Sequence, residues 1–460
     1  MFFRQVLHED LACASYVIAD GGEAAVVDPK WEIEDYLALA DERDFRIVHV
    51  LETHNHADHL SGRGRLAVAT GATLHISAEA GVEYDHEPLG DGAALELGAA
   101  RISALATPGH RPEHSAFLVE DAGRSRAPWV VLTGDSLFVG TVGRPDLAVE
   151  PTEGAHGLFR SSRRLLELDD ATELWPGHFG GSLCGGAGMS EKPVSTIGFE
   201  RRANELLSLD EDAFVRRLTS RLEPQPPNFE RIVELNRGPL ITAPAHLEPL
   251  APKRAADLVA EGAILIDGRD PREYDAAHAP GSLNVTMTHS GVGTRAAWVV
   301  EPERELVVLA ASDDDARTLA RLLEAVGLRS LAGYVAGGIG AWRGAKFETE
   351  ATRAIDVKGL AKLLRDEEAV LLDVREDDEW GHRHVEGSLH VPYHELRGEL
   401  PAEIREGGRP LAVACSAGNR SSLAASLLRR AGIDNVLHVA DGGVADLAEE
   451  GFELVRADNR

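Results

Sequence analysis

Short apolar runs separated by polar, proline-rich and glycine-rich turns occupy the first 243 residues of the chain. Runs of this length predict buried strands, and the longer stretches between them have helical character. Strands that alternate with helices are typical of a layered α/β domain. The predicted strands lie at residues 24–28, 47–51, 73–76, 101–106, 115–119, 129–133 and 172–175.

The rest of the chain contains an internal repeat. The segment ILIDGRDPREYDAAHAPGSLNV from Ile264 recurs from Val370 as VLLDVREDDEWGHRHVEGSLHV, in one constant register. Each copy predicts strands, at 306–309 and 411–414, followed by helices, at 316–325 and 421–431. This alternation predicts a parallel, doubly wound sheet in each copy. Proline-rich segments at 224–227 and 238–245 read as connections, so we predict domains at 1–243, 244–350 and 351–460.

The composition excludes several classes of protein. A chain of 460 residues exceeds what one hydrophobic core supports, and 43% hydrophobic residues exclude a disordered chain. The formal charge of −29 repels nucleic acid and anionic membranes, so we expect neither as a partner. The first ten residues lack a cationic segment followed by a continuous apolar stretch, which predicts no secretory signal and a cytoplasmic location. Three widely spaced cysteines, Cys13, Cys184 and Cys415, cannot form a disulfide framework.

A dense group of metal-binding residue types follows the predicted strand at 47–51. The segment ETHNHADHLSG places three imidazoles and one carboxylate within six residues, which suits zinc or non-haem iron. Three further candidates each follow a predicted strand beside a glycine turn, where a loop can reach a shared site. The seven candidates, which by number fit one metal or two, are His54, His56, Asp58, His59, His110, Asp135 and His178. For His114 two roles are open, one in orienting a metal ligand and a structural one, and we expect the structural one.

The second copy of the repeat contains a candidate reactive thiol. Cys415 lies between the strand at 411–414 and a predicted helix, whose N-terminus favours a thiolate or persulfide anion. Four residues separate Cys415 from Arg420, one fewer than in phosphate-binding loops of the tyrosine-phosphatase type. The first copy has Ala310 at the position of Cys415 and three aspartates at 313–315, so it cannot carry sulfur. Residues 244–350 are therefore expected to serve docking or spacing.

These motifs resemble known families. Residues 53–59 (THNHADH) are similar to the metal motif of the metallo-β-lactamase superfold, which implies an αββα sandwich. DSLFVGTVGRPDL at 135–147 and GGSLCG at 180–185 resemble persulfide dioxygenases fused to rhodanese domains. This resemblance implies one Fe(II), held by His54, His110 and Asp135. It leaves the other four candidates, His56, Asp58, His59 and His178, as outer groups or ligands of a second metal.

The four-residue loop at Cys415 resembles that of a rhodanese, a doubly wound α/β domain that carries a sulfane sulfur on cysteine. The resemblance implies catalytic roles for Cys415 and Arg420. Asp373, Arg375 and Glu379 fit the same family, and we interpret them as structural supports. Cys184, in the loop after His178, is open to a catalytic or a structural role, whereas Cys13 is expected to be a buried structural thiol.

Together the resemblances imply a sulfide-detoxifying enzyme. Its iron centre would oxidise a low-molecular-weight thiol persulfide with O2 to sulfite, and its rhodanese would make or use thiosulfate. Relatives of this kind imply a homo-oligomer. Two alternatives stay open: a glyoxalase-II-like thioester hydrolase with two zinc ions, and a non-catalytic sulfur-carrier protein with a vestigial metal site.

Overall fold

The computed structural model describes residues 1–457 except 126, 181, 183, 186, 187 and 221. Two positions of the GGSLCG motif, 181 and 183, therefore lie outside the described residues. The chain divides into two units, residues 1–244 with 325–327 and residues 245–324 with 328–460. The division into three domains at 1–243, 244–350 and 351–460 stays a prediction. Among the described residues, no helix combines the length and the apolar character that crossing a membrane requires.

Two six-stranded sheets form the first unit, in the orders β1-β2-β3-β4-β5-β6 and β12-β11-β10-β9-β8-β7. The strands are β1 Phe2–His8, β2 Cys13–Asp20, β3 Glu23–Val27, β4 Arg46–Leu51, β5 Thr73–Ser77, β6 Glu87–Leu89, β7 Ala94–Leu97, β8 Ala100–Ala106, β9 Ser115–Asp121, β10 Val130–Gly134, β11 Glu173–Pro176 and β12 Ser195–Thr196. The helices are α1 Glu34–Arg43, α2 Arg63–Thr70, α3 Pro151–Leu165, α4 Ile197–Ala203, α5 Glu211–Thr219 and α6 Phe229–Arg237.

The hydrophobic core of this unit has three layers. Tyr16 and Leu51 of the first sheet pack with Phe117 and Leu132 of the second sheet in one central cluster. Helices α1 and α2 cover the outer face of the first sheet, and α3, α4 and α5 cover that of the second. The order helix, sheet, sheet, helix is the expected sandwich. It arises because each strand presents apolar side chains to both of its faces.

The second unit contains two parallel five-stranded sheets, ordered β13-β17-β16-β14-β15 and β18-β23-β22-β19-β21, and a small antiparallel pair, β20-β24. The strands are β13 Pro249–Leu250, β14 Ile264–Asp267, β15 Leu283–Asn284, β16 Leu306–Leu309, β17 Leu331–Val335, β18 Arg353–Asp356, β19 Val370–Asp373, β20 His384–Val385, β21 Leu389–His390, β22 Leu411–Ala414, β23 Val436–Asp441 and β24 Leu454–Val455. The helices are α7 Pro252–Ala260, α8 Pro271–Ala276, α9 Val292–Val299, α10 Asp313–Ala325, α11 Gly338–Gly344, α12 Val357–Arg365, α13 Asp377–His382, α14 Ala402–Arg405 and α15 Asn419–Arg430.

The predicted strands of both repeats are confirmed, but two details of the prediction are wrong. The list of predicted strands for the first unit omits β1, β2, β6, β7 and β12, of which β1 and β2 pair along the whole length of β1. It also begins the last long helix near residue 421, whereas α15 begins at Asn419. Gly418, directly before α15, has a φ of +89°, a left-handed conformation that glycine adopts readily. The loop ends at this residue, and α15 begins at Asn419. Arg420 therefore belongs to the first turn of α15.

Candidate functional site

The seven candidate metal ligands lie on loops at strand ends of the first unit. His54, His56, Asp58 and His59 follow β4, His110 follows β8, Asp135 directly follows β10, and His178 follows β11. The structure brings His54, His110 and Asp135 together, with one ligand atom of each within 4.8 Å of the others. Nε2 of His110 lies 3.4 Å from Oδ2 of Asp135, and Nε2 of His54 lies 3.9 Å from the same oxygen.

The donor atoms of this first group have no hydrogen-bond partner. Nε2 of His54, Nε2 of His110 and both carboxylate oxygens of Asp135 are buried and unsatisfied. A buried polar atom without a partner is costly, so a cluster that contains four of them needs a compensating group. A cation bound between two imidazoles and a carboxylate supplies it. The residues therefore fit a metal ion, and two histidines with one carboxylate form a set that non-haem Fe(II) uses.

Hydrogen bonds fix both imidazoles for metal binding. Nδ1 of His54 donates to Oγ1 of Thr53 at 2.9 Å, because the Thr53 hydroxyl itself donates to Asp28 at 2.8 Å. Nδ1 of His110 donates to the carbonyl of Arg144 at 3.1 Å. In each ring the proton sits on Nδ1, so Nε2 presents a lone pair to the centre.

The charges of this group also suit a metal. Burial and the neighbouring His56 hold the pKa of His54 well below its usual value, and burial lowers the pKa of His110, so both rings are neutral. For Asp135, burial raises the pKa, but His178 and His110 lower it further, to about 2. The result is a carboxylate anion beside two neutral imidazoles, the protonation states in which these residues bind metals.

His114 positions Asp135 rather than serving only the local structure. Its Nε2 accepts a hydrogen bond from the backbone N–H of Asp135 at 2.9 Å, while its Nδ1 donates to Thr107 at 2.8 Å. The prediction of a structural role was therefore incomplete. Burial lowers the pKa of His114 to about 3, so the ring stays neutral and able to accept this bond.

His56 forms a buried ion pair. Its Nε2 lies 3.2 Å from Asp28 and 3.1 Å from Glu52. Burial lowers the pKa of His56, but the two carboxylates raise it to about 10. Sequence reasoning did not identify Asp28, which lies outside the histidine segment, or Glu52, which opens that segment but was not among the seven candidates. Nδ1 of His56 has no hydrogen-bond partner, but with so high a pKa the ring is protonated on both nitrogens and would have to lose a proton to bind a metal.

The remaining candidates, Asp58, His59 and His178, satisfy one another. Asp58 lies 3.2 Å from Nδ1 of His59 and 3.4 Å from Nε2 of His178, and that same nitrogen is 3.3 Å from Asp135. Burial lowers the pKa of His178, but Asp135 and the nearby thiols and Asp58 raise it well above its ordinary value. A cationic His178 between two carboxylates leaves no orphaned charge. Asp135 therefore contacts both groups, and the difference between them is that Nε2 of His54 and Nε2 of His110 have no hydrogen-bond partner.

Two buried thiols adjoin the second group of ligands. Cys13 donates to Asp58 at 3.4 Å, and Cys184 lies with Asp135 and His178 in one cluster of potential ligand atoms. Burial raises the pKa of Cys184 to about 12 and that of Cys13 further still. Cys13 is buried as expected, but its place beside Asp58 was not foreseen. An isolated β-bridge between residue 13 and His178 brings it there.

The candidate reactive thiol, Cys415, lies at the end of β22 and is buried. The backbone N–H of Gly418 donates to Sγ at 3.2 Å, and the hydroxyl of Ser421 lies 3.4 Å from Sγ. We expected several backbone N–H groups around the sulfur; within the described residues, the hydrogen bonds include one, from Gly418. In the first repeat, Ala310 is buried at the end of β16, the equivalent strand.

Glu379 holds Arg420 over the thiol loop. Both Nη atoms of Arg420 donate to the Glu379 carboxylate, one of them at 2.9 Å, and Ser416 donates to the same carboxylate at 2.9 Å. Burial raises the pKa of Glu379, but Arg420 lowers it to about 2. The pair is a bidentate ion pair of the kind that fixes a guanidinium in one orientation. Glu379 therefore supports Arg420, which itself lies near Cys415.

Asp373 and Arg375 form a second, fully buried pair. Nη2 of Arg375 donates to Asp373 at 2.6 Å and to the carbonyl of Arg383 at 2.7 Å. Asp267 and Arg269 make the same bonds in the first repeat, at 2.6 Å to the carboxylate and 2.9 Å to the Ala277 carbonyl. Because the pair also occurs in the repeat without a cysteine, its role is to hold the strand to the following helix.

We expect Arg375→Leu to lower the free energy of unfolding by about 3–5 kcal/mol, because it leaves the Asp373 carboxylate buried without a partner. Urea unfolding of the full chain measures the change, and Arg269→Leu should cause a similar loss. The double variant Asp373→Leu/Arg375→Met should recover much of the stability. A stable Arg375→Leu that loses only sulfur transfer would contradict the structural role.

Comparison with known proteins adds to this geometry. Residues 8–178 match the metallo-beta-lactamase superfamily, and residues 251–345 and 356–450 each match the rhodanese-like domain. The chain is 27% identical over 242 residues to "Persulfide dioxygenase ETHE1, mitochondrial" from Bos taurus, a match that covers 51% of this chain and 87% of that protein. It is 34% identical over 165 residues to "Hydroxyacylglutathione hydrolase" from Anaeromyxobacter dehalogenans (strain 2CP-C), covering 36% of this chain and 60% of that protein.

A solved structure matches a larger part of the chain. The metallo-beta-lactamase from Staphylococcus aureus subsp. aureus COL has a TM-score of 0.65 and 28% sequence identity, over 73% of this chain and 98% of that chain. This match extends beyond residues 8–178, the part of the chain that the superfamily description covers. The similarity therefore includes part of the rhodanese-like region.

Proposed function

Because this chain belongs to the metallo-β-lactamase superfamily and carries two rhodanese-like domains, as in a persulfide dioxygenase–rhodanese fusion, we propose that it oxidises a thiol persulfide with O2 and transfers sulfane sulfur. It is an enzyme of sulfur chemistry with a metal cofactor. The finer proposal is a mononuclear Fe(II) dioxygenase at residues 1–243, an inactive rhodanese at 244–350 and an active one at 351–460. Homo-oligomers and a low-molecular-weight thiol persulfide belong to the same proposal.

One observation carries the choice of a single metal. The unsatisfied Nε2 atoms of His54 and His110 lie in one group with Asp135, whereas Asp58 and His59 pair with each other and His178 contacts both Asp58 and Asp135. One cation would complete the first group and leave the Asp58–His59 pair in place. When bound, ferrous iron supplies the redox chemistry that O2 requires and that zinc lacks.

The overall reaction balances with water as the third reactant. A persulfide, O2 and water give a thiol and sulfite, and the sulfane sulfur loses the four electrons that O2 gains. His54, His110 and Asp135 would hold the metal, and His114 would keep Asp135 in place through its backbone N–H. Cys184, beside Asp135 and His178, would help to position the persulfide.

The second step transfers sulfur at Cys415. The Cys415 persulfide gives its outer sulfur to sulfite, which forms thiosulfate and returns the Cys415 thiolate; the reverse reaction uses thiosulfate. No redox partner is needed, because one S–S bond breaks as another forms. Arg420, fixed by Glu379, places a positive charge where the anionic sulfite or thiosulfate approaches.

Metal analysis and oxygen uptake test the proposal together. Protein purified without oxygen should contain about one iron per chain, as expected for a single site of two histidines and one carboxylate. It should consume O2 when given glutathione persulfide or coenzyme A persulfide, and should release sulfite. Two zinc ions per chain and no O2 uptake would contradict the proposal.

A thioester hydrolase with two zinc ions is the second candidate. Nδ1 of His56 has no partner, and His56, Asp58 and His59 place ligand atoms within 4.8 Å of one another, as a second metal site would require. The similarity to hydroxyacylglutathione hydrolase points the same way. Cleavage of S-lactoylglutathione by the protein with two bound zinc ions would favour this candidate.

A further inference from the structure

A chain of buried polar side chains joins the two rhodanese-like segments of the second unit. Asp275 lies on α8 in the segment without a thiol, and His438 lies on β23 in the segment with Cys415. Nδ1 of His438 is 2.6 Å from Oδ2 of Asp275. Both side chains are almost fully buried, so the contact lies away from solvent.

The same imidazole reaches the thiol loop through its other nitrogen. Nε2 of His438 lies 3.0 Å from the carbonyl oxygen of Gly418 and 3.2 Å from Oγ of Ser421. Ser421 is buried, and its hydroxyl lies 3.4 Å from Sγ of Cys415. Hydrogen bonds thus lead without a gap from Asp275 to the sulfur.

The contacts of His438 fix the orientation of its ring. Nδ1 faces the Asp275 carboxylate and Nε2 faces the Gly418 carbonyl, both of which accept hydrogen bonds and donate none. The hydroxyl of Ser421, which lies 3.2 Å from Nε2, donates to the same Gly418 carbonyl at 3.0 Å. His438 and Ser421 therefore hold the Gly418 end of the loop together, beside Sγ of Cys415.

We propose that Asp275 is a positioning residue for sulfur transfer at Cys415, acting through His438 and Ser421. The segment that lacks its own thiol thus completes the sulfur site of the other segment, in addition to docking or spacing. The inference rests on the proposed sulfurtransferase function. It gives a chemical reason for retaining a repeat in which Ala310 replaces the cysteine.

The expected contribution follows from the bonds that change. When the Cys415 thiolate attacks the outer sulfur of thiosulfate, a new S–S bond forms, the S–S bond of thiosulfate breaks and sulfite leaves. In the reverse direction the Cys415 thiolate is the leaving group. In both directions the Gly418 N–H donates to Sγ when the sulfur carries the negative charge, and His438 keeps Gly418 and Ser421 in place beside it.

The other charged groups around the loop form ion pairs that do not include Asp275 or His438. Arg420 is bound to Glu379, and Arg272 of α8 is bound to Asp441 at the end of β23. Arg429 pairs with Glu350 at 3.0 Å on the same contact between the segments. Among the described residues, hydrogen bonds connect Asp275 to Ser421 through His438. None of them connects the other three carboxylates named here to Ser421.

Asp275→Asn tests the proposal, because it keeps the shape of the side chain and removes its charge. We measure the rate of sulfite release in a single turnover with thiosulfate, and the alkylation of Cys415 by iodoacetamide with peptide mass spectrometry, both as functions of pH. Without the Asp275 carboxylate, His438 is held less firmly against Gly418 and Ser421, so the Gly418 N–H stabilises the negative sulfur less and the pH midpoint should rise by about one unit. Sulfite release at neutral pH should then be about tenfold slower, with little change at high pH.

Glu350→Gln is the matched control, since it removes another carboxylate from the same contact and should leave both midpoints unchanged. A folded Asp275→Asn with the wild-type midpoint would overturn the proposal. If Asp275→Asn does not fold, Ser421→Ala decides, and a wild-type midpoint in that variant has the same consequence. A wild-type protein that releases no sulfite would refute the sulfurtransferase function instead, and the alkylation midpoint would still test the hydrogen-bonded chain.

Discussion

His110→Ala should lose bound iron and O2 consumption while it retains sulfur transfer from thiosulfate. His110 offers an unsatisfied Nε2 to the centre formed with His54 and Asp135, and its Nδ1 is held by the Arg144 carbonyl. Removing an outer support of a metal ligand already costs about 10–100-fold in metal affinity or activity, so loss of a ligand should cost at least about 100-fold. Iron quantification and an oxygen electrode with glutathione persulfide measure the two losses.

His156→Ala is the matched control for this experiment. His156 is half-buried, pairs with Glu211 at 2.7 Å and lies outside the ligand cluster, so its replacement should leave iron content and O2 uptake near wild type. A His110→Ala protein that still binds about one iron per chain would contradict the assigned ligand set. In that case His56, whose Nδ1 is free, would be the first replacement ligand to examine.

Local sequence patterns predicted the features that depend on neighbours in the chain. The expected metallo-β-lactamase and rhodanese folds are confirmed, and the strands at 306–309 and 411–414 were predicted to the residue. Asp135 and His178 were identified because each follows a predicted strand beside a glycine turn, from which a loop can reach a shared site. Alignment of the two repeat copies showed that the first copy lacks the thiol, because Ala310 occupies the position that corresponds to Cys415.

Features that depend on long-range packing could not be predicted in this way. Cys13 reaches Asp58 because a β-bridge pairs residue 13 with His178. Asp275 and His438 are 163 residues apart in the chain, and each sits in a segment that gives no sign of the other. Such contacts are set by how sheets and helices pack, and one sequence carries no local signal for them.

The number of metals also depends on long-range packing. The sequence offers seven candidate ligands but does not show which of them bind the same metal. The partition comes from hydrogen bonds: Thr53 and Arg144 fix the protons of His54 and His110, whereas Asp28 and Glu52 engage His56. Glu52 and Thr53 belong to the histidine segment, but Asp28 and Arg144 lie outside it, and the segment alone does not show which histidine each group engages. The division into an unsatisfied group and a satisfied group is therefore visible only in three dimensions.

Cys415→Ser should abolish sulfur transfer and leave the iron centre unchanged. A serine hydroxyl in the same loop keeps the Gly418 and Ser421 contacts but cannot carry a sulfane sulfur as a persulfide. The rate of sulfite release from thiosulfate should fall at least about 1,000-fold, the order of magnitude lost when a covalent nucleophile is removed. Iron content and O2 uptake with added persulfide should match wild type, because His54, His110 and Asp135 belong to the other unit.

Cys184→Ser separates the two thiols in the same assays. Cys184 is buried beside Asp135 and His178, so its replacement should slow O2 uptake with persulfide and spare sulfite release from thiosulfate. The two variants then affect opposite halves of the reaction. If Cys415→Ser retained sulfite release and Cys184→Ser lost it, the sulfur would be carried at the metal centre and the role of the Cys415 loop would be wrong. Mass spectrometry of the two cysteine peptides after thiosulfate treatment identifies the sulfur-bearing residue directly.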